Sequence, residues 1–152
     1  MHIVLVEPEI PQNTGSIART CAATRTPLHL VGKLGFEISE KRVRRAGLDY
    51  WPYVDLNIHE TWEDFVSKTS PNNIWLFSKF AGKIYHQAQF KAGDALVFGS
   101  ETKGLGKDFL GKFPSENQLK IPMVCQEVRS LNLSNAVSIA VYEGRRQLNL
   151  DL

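Results

Sequence analysis

Short, unbroken apolar runs are the feature that most constrains this chain. Ile3–Val6, Leu28–Val31, Ile74–Phe77 and Ala95–Phe98 are continuous or nearly so, with little polar alternation. A strand with one face in water alternates apolar and polar residues, so an unbroken run fits a strand covered on both faces, as in a parallel sheet. The intervening segments switch to a helical period. After Asn13, residues Ile17, Ala18, Cys21 and Ala22 fall on one face, and Asn13 or Thr14 is available to cap the start. Thr61 to Lys68 predicts a helix burying Trp62, Phe65 and Val66. Leu133, Ala136, Val137, Ala140, Val141 and Leu148 keep the i, i+3, i+4 rhythm of a closing helix. Strands alternating with helices predict an α/β fold: a mostly parallel sheet flanked by helices.

Weaker signals fill the gaps. Val54–Ile58 and Leu119–Ile121 read as further strands, the second ended by Pro122. The two prolines of Glu7-Pro-Glu-Ile-Pro11 predict a break after the first strand, and Ser39 is placed to cap a short helix. No repeat, linker or low-complexity tract divides the 152 residues, so one domain over 1–152 is expected. The chain is 43% hydrophobic and 22% charged, the balance of a soluble globular protein rather than a disordered one. No apolar run approaches the roughly 18 residues of a membrane span, and no secretory leader is evident. Cys21 and Cys125 form no CxxC, so neither a disulfide framework nor a zinc site is indicated. A cytoplasmic protein is expected, without membrane or metal.

Net charge is only +2, yet four of the five residues from Lys41 to Arg45 (KRVRR) are basic. A polyanion would meet a local patch rather than a uniformly positive surface.

Ligands of parallel sheets gather beyond the carboxyl ends of the strands. Three loops there merit attention: Glu7 to Arg19, Gly99 to Gly106, and Pro122 to Asn135. Gly99-Ser-Glu-Thr-Lys-Gly104-Leu-Gly106 is glycine-rich like a phosphate loop, but Leu105 follows Gly104 where a Walker A lysine is required. No GxGxxG follows a strand and no GxSxG elbow exists, which argues against a dehydrogenase and the simplest hydrolase. His2, His29, His59 and His86 stand at no metal-ligand spacing. Arg129-Ser-Leu-Asn-Leu-Ser-Asn135 places more polar residues at the mouth of an apolar helix than a cap needs.

Taken in order, the three loops resemble the motifs of the SPOUT class of RNA 2′-O-methyltransferases. The first is Asn13-Thr-Gly15-Ser-Ile-Ala-Arg19. The second is Leu96-Val-Phe-Gly99-Ser-Glu101-Thr-Lys-Gly104-Leu-Gly. The third is Ile121-Pro-Met123 continuing to Ser130-Leu-Asn132-Leu-Ser-Asn135-Ala. Within that class the chain is most similar to the small TrmL (YibK-like) branch, sharing Glu7-Pro-Glu-Ile-Pro-Gln-Asn-Thr-Gly and Lys41-Arg-Val-Arg-Arg-Ala-Gly-Leu-Asp-Tyr50.

The resemblance implies a C-terminal deep trefoil knot, S-adenosyl-L-methionine as methyl donor, and a homodimer with composite active sites. It implies 2′-O-methylation of the wobble nucleotide, cytidine(34) or a modified uridine(34), in leucine tRNAs. Motif position assigns Phe77, Gly99, Glu101, Gly104, Ile121, Ser130, Leu131 and Asn135 to the cofactor, and Arg19 and Asn13 to catalysis; Tyr142 of the last helix joins them as a residue that either stacks on a flipped base or packs in the dimer interface. Lys41, Arg42, Arg44, Arg45 and Arg129 are assigned to tRNA, since this branch has no separate RNA-binding domain. The alternatives are a 2′-O-methyltransferase for another tRNA or rRNA nucleotide, and a non-catalytic cofactor-binding protein that recognises RNA.

Overall fold

A computed structural model of the chain describes residues 1–38, 49–125 and 127–150. Seven strands form one sheet among them: β1 (His2–Val6), β2 (Leu28–Val31), β3 (Leu56–His59), β4 (Ile74–Phe77), β5 (Lys83–Ile84), β6 (Ala95–Phe98) and β7 (Gln118–Lys120). Their spatial order is β3-β2-β1-β6-β4-β7-β5, and every pairing is parallel. The described helices are α1 (Pro11–Thr24), α2 (Trp62–Thr69), the single-turn α3 (Lys107–Leu110) and α4 (Leu133–Gln147).

The apolar runs are continuous because both faces of the sheet are covered. Ile3 and Leu5 of β1, Leu28 and Leu30 of β2, and Leu96 and Phe98 of β6 point to one side. There they pack on Ile17, Ala18 and Cys21 of α1 and on Val137, Ala140 and Val141 of α4. Val4, Val31, Ala95 and Val97 point the other way, onto Phe65 of α2. Every residue of β2 and β6, and Ile3 to Leu5 of β1, is thus buried whichever way the pleat turns it. Helices α1 and α4 also touch each other: the Thr20 and Ser138 hydroxyls are 3.2 Å apart, and Arg145 donates to the Thr24 carbonyl at 2.6 Å.

The structure departs from the expectations at the element ends. Helix α1 starts two residues before Asn13, with Ile10 at the N-cap and Pro11 in the first turn, so neither Asn13 nor Thr14 caps it. Proline suits that place because its missing N–H would have had no helical partner. Thr61 does cap α2, accepting from Asp64 N–H at 3.1 Å. Strand β3 starts at Leu56 rather than Val54, which closes a 3₁₀ turn over Trp51–Tyr53. Strands β5 and β7 and helix α3 are too short for periodicity to place well. The Lys41–Arg45 patch and the Ser39 cap lie outside the described residues. No described helix is long and apolar enough to cross a membrane.

Candidate functional site

Strands β4, β6 and β7 are neighbours, and their carboxyl ends open into one cleft of about 490 Å³. Its apolar floor is Phe77, Phe98 and Leu119, with the two phenyl rings stacked at 4.5 Å between centroids and 17° between planes. One wall is the loop from Gly99 to Gly106. A second is Ile121 and Met123 with Ser130 and Leu131, and the first turn of α4 closes the back through Leu133 and Ala136.

The glycine spacing of the first wall has a steric cause. Ser100 and Gly104 form an antiparallel bridge, with Gly104 N–H donating to the Ser100 carbonyl at 2.9 Å. The turn brings the Gly104–Leu105 backbone against Gly99 so closely that a Cβ at Gly99 would overlap it. Gly104 has φ +64° and Gly106 φ +78°, where side chains are strained. These glycines therefore build a tight turn. Its inner edge is bare backbone facing the cleft, which lets a ligand approach the main chain.

The three motif loops are tied together by side chains. The Glu101 carboxylate accepts from Glu9 N–H at 2.8 Å, Ile10 N–H at 3.1 Å and the Asn13 amide at 3.2 Å. Helix α1 has no acidic residue in its own first turn, so Glu101 supplies the negative charge that a helix N-terminus favours. The Asn13 carbonyl accepts from the Asn132 amide at 3.0 Å. Asn132 in turn caps α4 by accepting from Ser134 N–H at 2.9 Å.

Seven of the eight residues assigned to the cofactor line this cleft: Phe77, Gly99, Glu101, Gly104, Ile121, Ser130 and Leu131. Glu101 borders it with its carboxylate turned to α1. Asn135 does not reach it and is exposed. Two residues past Leu133, it lies about 200° around the helix from that cleft residue. The catalytic assignments are more scattered. Asn13 joins the motif network, whereas Arg19, six residues later and about 240° around α1, is exposed and outside the cleft lining. Its guanidinium lies 4.8 Å from the centroid of the Tyr50 ring, and the Tyr50 hydroxyl donates to the Gly15 carbonyl at 2.8 Å. Tyr142 is 54% exposed and sits about 9 Å along α4 beyond Ala136. Arg129 is exposed on the cleft rim, where its carbonyl accepts from Lys79 at 3.2 Å. Lys41, Arg42, Arg44 and Arg45 lie outside the described residues.

Sequence reasoning missed the rim residues Lys79 and Phe80 and the Glu9–Thr102 pairing. The first carry no motif, and the second joins residues 93 apart. It also missed that His2, His29 and His59 form a chain, with N···N distances of 3.0 and 2.9 Å across three strands. Cys21 is buried, its thiol pushed up to about 12 by burial, while Cys125 is exposed and donates to Glu127 at 3.1 Å.

Comparison with known proteins matches this arrangement. Residues 1–142 fit the SpoU rRNA Methylase family. A tRNA (cytidine(34)-2′-O)-methyltransferase of Saccharophagus degradans is 48% identical over 147 residues, covering 97% of this chain and 95% of that one. A protein of the same description from Escherichia coli K12 is 43% identical over 148 residues, covering 97% and 94%. A solved structure described as giving insight into 2′-OH methylation of C/U34 on tRNA superposes with a TM-score of 0.88 at 47% identity, covering 97% and 95%. A candidate RNA methyltransferase from Bacillus anthracis superposes at 0.92 with 42% identity, covering 99% and 95%. With its motif loops gathered on one cleft and a family match over nearly its full length, this chain belongs to the SpoU rRNA Methylase family.

Proposed function

We propose that this protein methylates the ribose 2′-hydroxyl of nucleotide 34 of tRNA, using S-adenosyl-L-methionine. The observation that carries the proposal is the cleft: residues assigned to the cofactor by motif position, far apart in sequence, line one cavity. The cavity fits the cofactor chemically. The apolar Phe77, Phe98, Leu119 and Ile121 suit a purine and a thioether chain. The bare backbone at Gly99 and Gly104 suits hydrogen bonding to ribose and adenine.

When bound, S-adenosylmethionine supplies a methyl group already activated on a sulfonium. The residues therefore need to align the acceptor and help remove its proton. A guanidinium holds its own proton tightly and offers donors only, so an arginine is poorly suited to take that proton. Arg19 instead orients the 2′-oxygen or a neighbouring phosphate and offsets the negative charge that develops there. Its exposed place outside the lining of its own chain's cleft favours action in the cleft of a second copy. A homodimer with composite sites is thus part of the reading, and Tyr142 on exposed α4 serves that interface or the RNA. Asn13 acts indirectly, by holding the motif loops in register.

The whole chain acts as one domain in the cytoplasm, on leucine tRNAs carrying cytidine or a modified uridine at position 34. Lys41, Arg42, Arg44, Arg45 and Arg129 grip phosphates, which makes binding salt-sensitive. A C-terminal trefoil knot is also included; the placement of β7 between β4 and β5 and the return of α4 onto α1 support it.

The experiment is label transfer from S-adenosylmethionine to matched tRNAs carrying a ribose or a 2′-deoxyribose at position 34. Transfer to the first and none to the second is expected. Equal transfer to both would overturn the assignment of the acceptor.

A further inference from the structure

Loop Gly99–Gly106 and the entry to α1 exchange carboxylates. Glu101 reaches across to Glu9 N–H and Ile10 N–H, and Glu9 reaches back. The Glu9 carboxylate accepts from Thr102 N–H at 3.1 Å. It also accepts from the Thr102 hydroxyl, which lies 2.9 and 2.8 Å from the two carboxylate oxygens. Glu9 is itself held. A Cβ on Gly35 would come within 2.8 Å of Glu9 Cα, and Gly35 N–H donates to the Pro8 carbonyl at 3.0 Å. Glu9 is thus a partly buried anion on a packed backbone, gripping the tip of an otherwise exposed loop.

The two halves of this exchange do different things. Glu101 satisfies backbone groups of the α1 entry and holds Asn13, and so anchors the helix. Among the described residues the Glu9 carboxylate bonds only Thr102, and Thr102 lies between the bridged residues Ser100 and Gly104 whose backbone edges the cleft. Without the Glu9 carboxylate the turn keeps its internal bridge and the Glu101 anchor at its base, but its tip at Thr102 loses its fastening to the body of the protein. A flexible loop would then have to be ordered each time a ligand binds, and that ordering cost reduces affinity.

We infer that Glu9 is a positioning residue for the cofactor, acting through Thr102 to hold the Gly99–Gly106 loop in its binding conformation. This rests on the reading of the cleft as an S-adenosylmethionine site. Hydrogen bonds to a carboxylate are among the stronger ones, so the pair can account for about a tenfold change in affinity. The effect should fall on cofactor binding rather than turnover, because the Glu9 carboxylate and the Thr102 hydroxyl are engaged with each other and act on the loop alone.

The test uses the full chain and the variants Glu9→Ala, Thr102→Val, Thr102→Ser and the double variant Glu9→Ala/Thr102→Val. S-adenosylmethionine binding is measured by calorimetry without RNA, followed by the cofactor KM and kcat and by thermal unfolding. Glu9→Ala and Thr102→Val should each raise Kd and KM about tenfold, with kcat within about threefold of the parent. Thr102→Ser, which keeps the hydroxyl, should bind as the parent does. The double variant should be no worse than the weaker single one, as for two partners of one interaction. Unchanged affinity in Glu9→Ala, equal damage from Thr102→Ser and Thr102→Val, or additive losses would each overturn the inference. A parent protein that fails to bind S-adenosylmethionine would instead contradict the reading of the cleft.

Discussion

The side-chain amide of Asn132 donates to the side-chain carbonyl of Asn13 at 3.0 Å, across 119 residues of sequence. This bond joins the first turn of α1 to the cap of α4 at the edge of the cleft. It separates two functions of one side chain, because the Asn132 oxygen caps α4 while its nitrogen holds Asn13.

Replacing Asn132 by aspartate should therefore keep the cap and lose the tie. Thermal stability should stay near that of the parent, while methyl transfer falls by tenfold or more, on the order of one lost hydrogen bond to a catalytic network. Asn132→Ala should lose both and unfold lower by about 1 kcal/mol, the usual worth of a cap. Parallel melting and activity assays distinguish the two.

Gly99→Ala puts a methyl group into the backbone of Gly104 and Leu105. That backbone cannot move aside as the end of a flexible side chain could, so the turn must open. S-adenosylmethionine affinity should fall by at least about tenfold while circular dichroism still reports a folded α/β protein. Retained affinity would mean that the turn is not the cofactor's wall.

Arg19 and the cleft can be separated between chains. Arg19→Ala should bind S-adenosylmethionine normally and transfer no methyl, whereas Ser130→Trp, which fills the cleft rim, should fail to bind it. If each site draws Arg19 from the partner, mixing and re-equilibrating the two inactive variants should restore up to about a quarter of the parental activity. No recovery in verified mixed dimers would place Arg19 in its own chain's site.

The histidine chain makes stability depend on acid. His29 is lowered to about 4, first by burial, then by the neighbouring His2 and His59, with Asp55 opposing. A histidine with a depressed folded-state pKa takes up protons more readily when unfolded. Its contribution is thus intact above about pH 6.5 and is lost as pH falls toward 4. The loss reaches at most about 3 kcal/mol. Thermal unfolding from pH 8 to 4 should show this slope, and His29→Asn should flatten it.

The fold and the cleft differ in how far they were legible from the residues alone. Ile3–Val6 and Ala95–Phe98 announced buried strands because a two-sided parallel sheet demands unbroken apolar runs. Strand β5 and helix α3 did not, being one turn or two residues long and set by their neighbours. Asn13 resembled a helix cap because its type and place suit one. Proline at residue 11 moved the helix start, and Glu101 claimed the side chain from 88 residues away. Gly99 and Gly104 pointed to a turn by spacing, but only the fold places that turn beside Ile121 and Leu131. Asn135 matched a motif by position, yet the helical rotation of α4 carries it off the cleft. Local chemistry was readable; pairings such as Glu9 with Thr102 depend on the sheet order.

The most direct test of the account is mass spectrometry of the nuclease products of tRNA treated with this protein and isotopically labelled S-adenosylmethionine. A labelled methyl on the ribose of nucleotide 34, resistant to alkaline cleavage at that linkage, is the predicted result. Label on a base, or on the ribose of any other nucleotide, would contradict it.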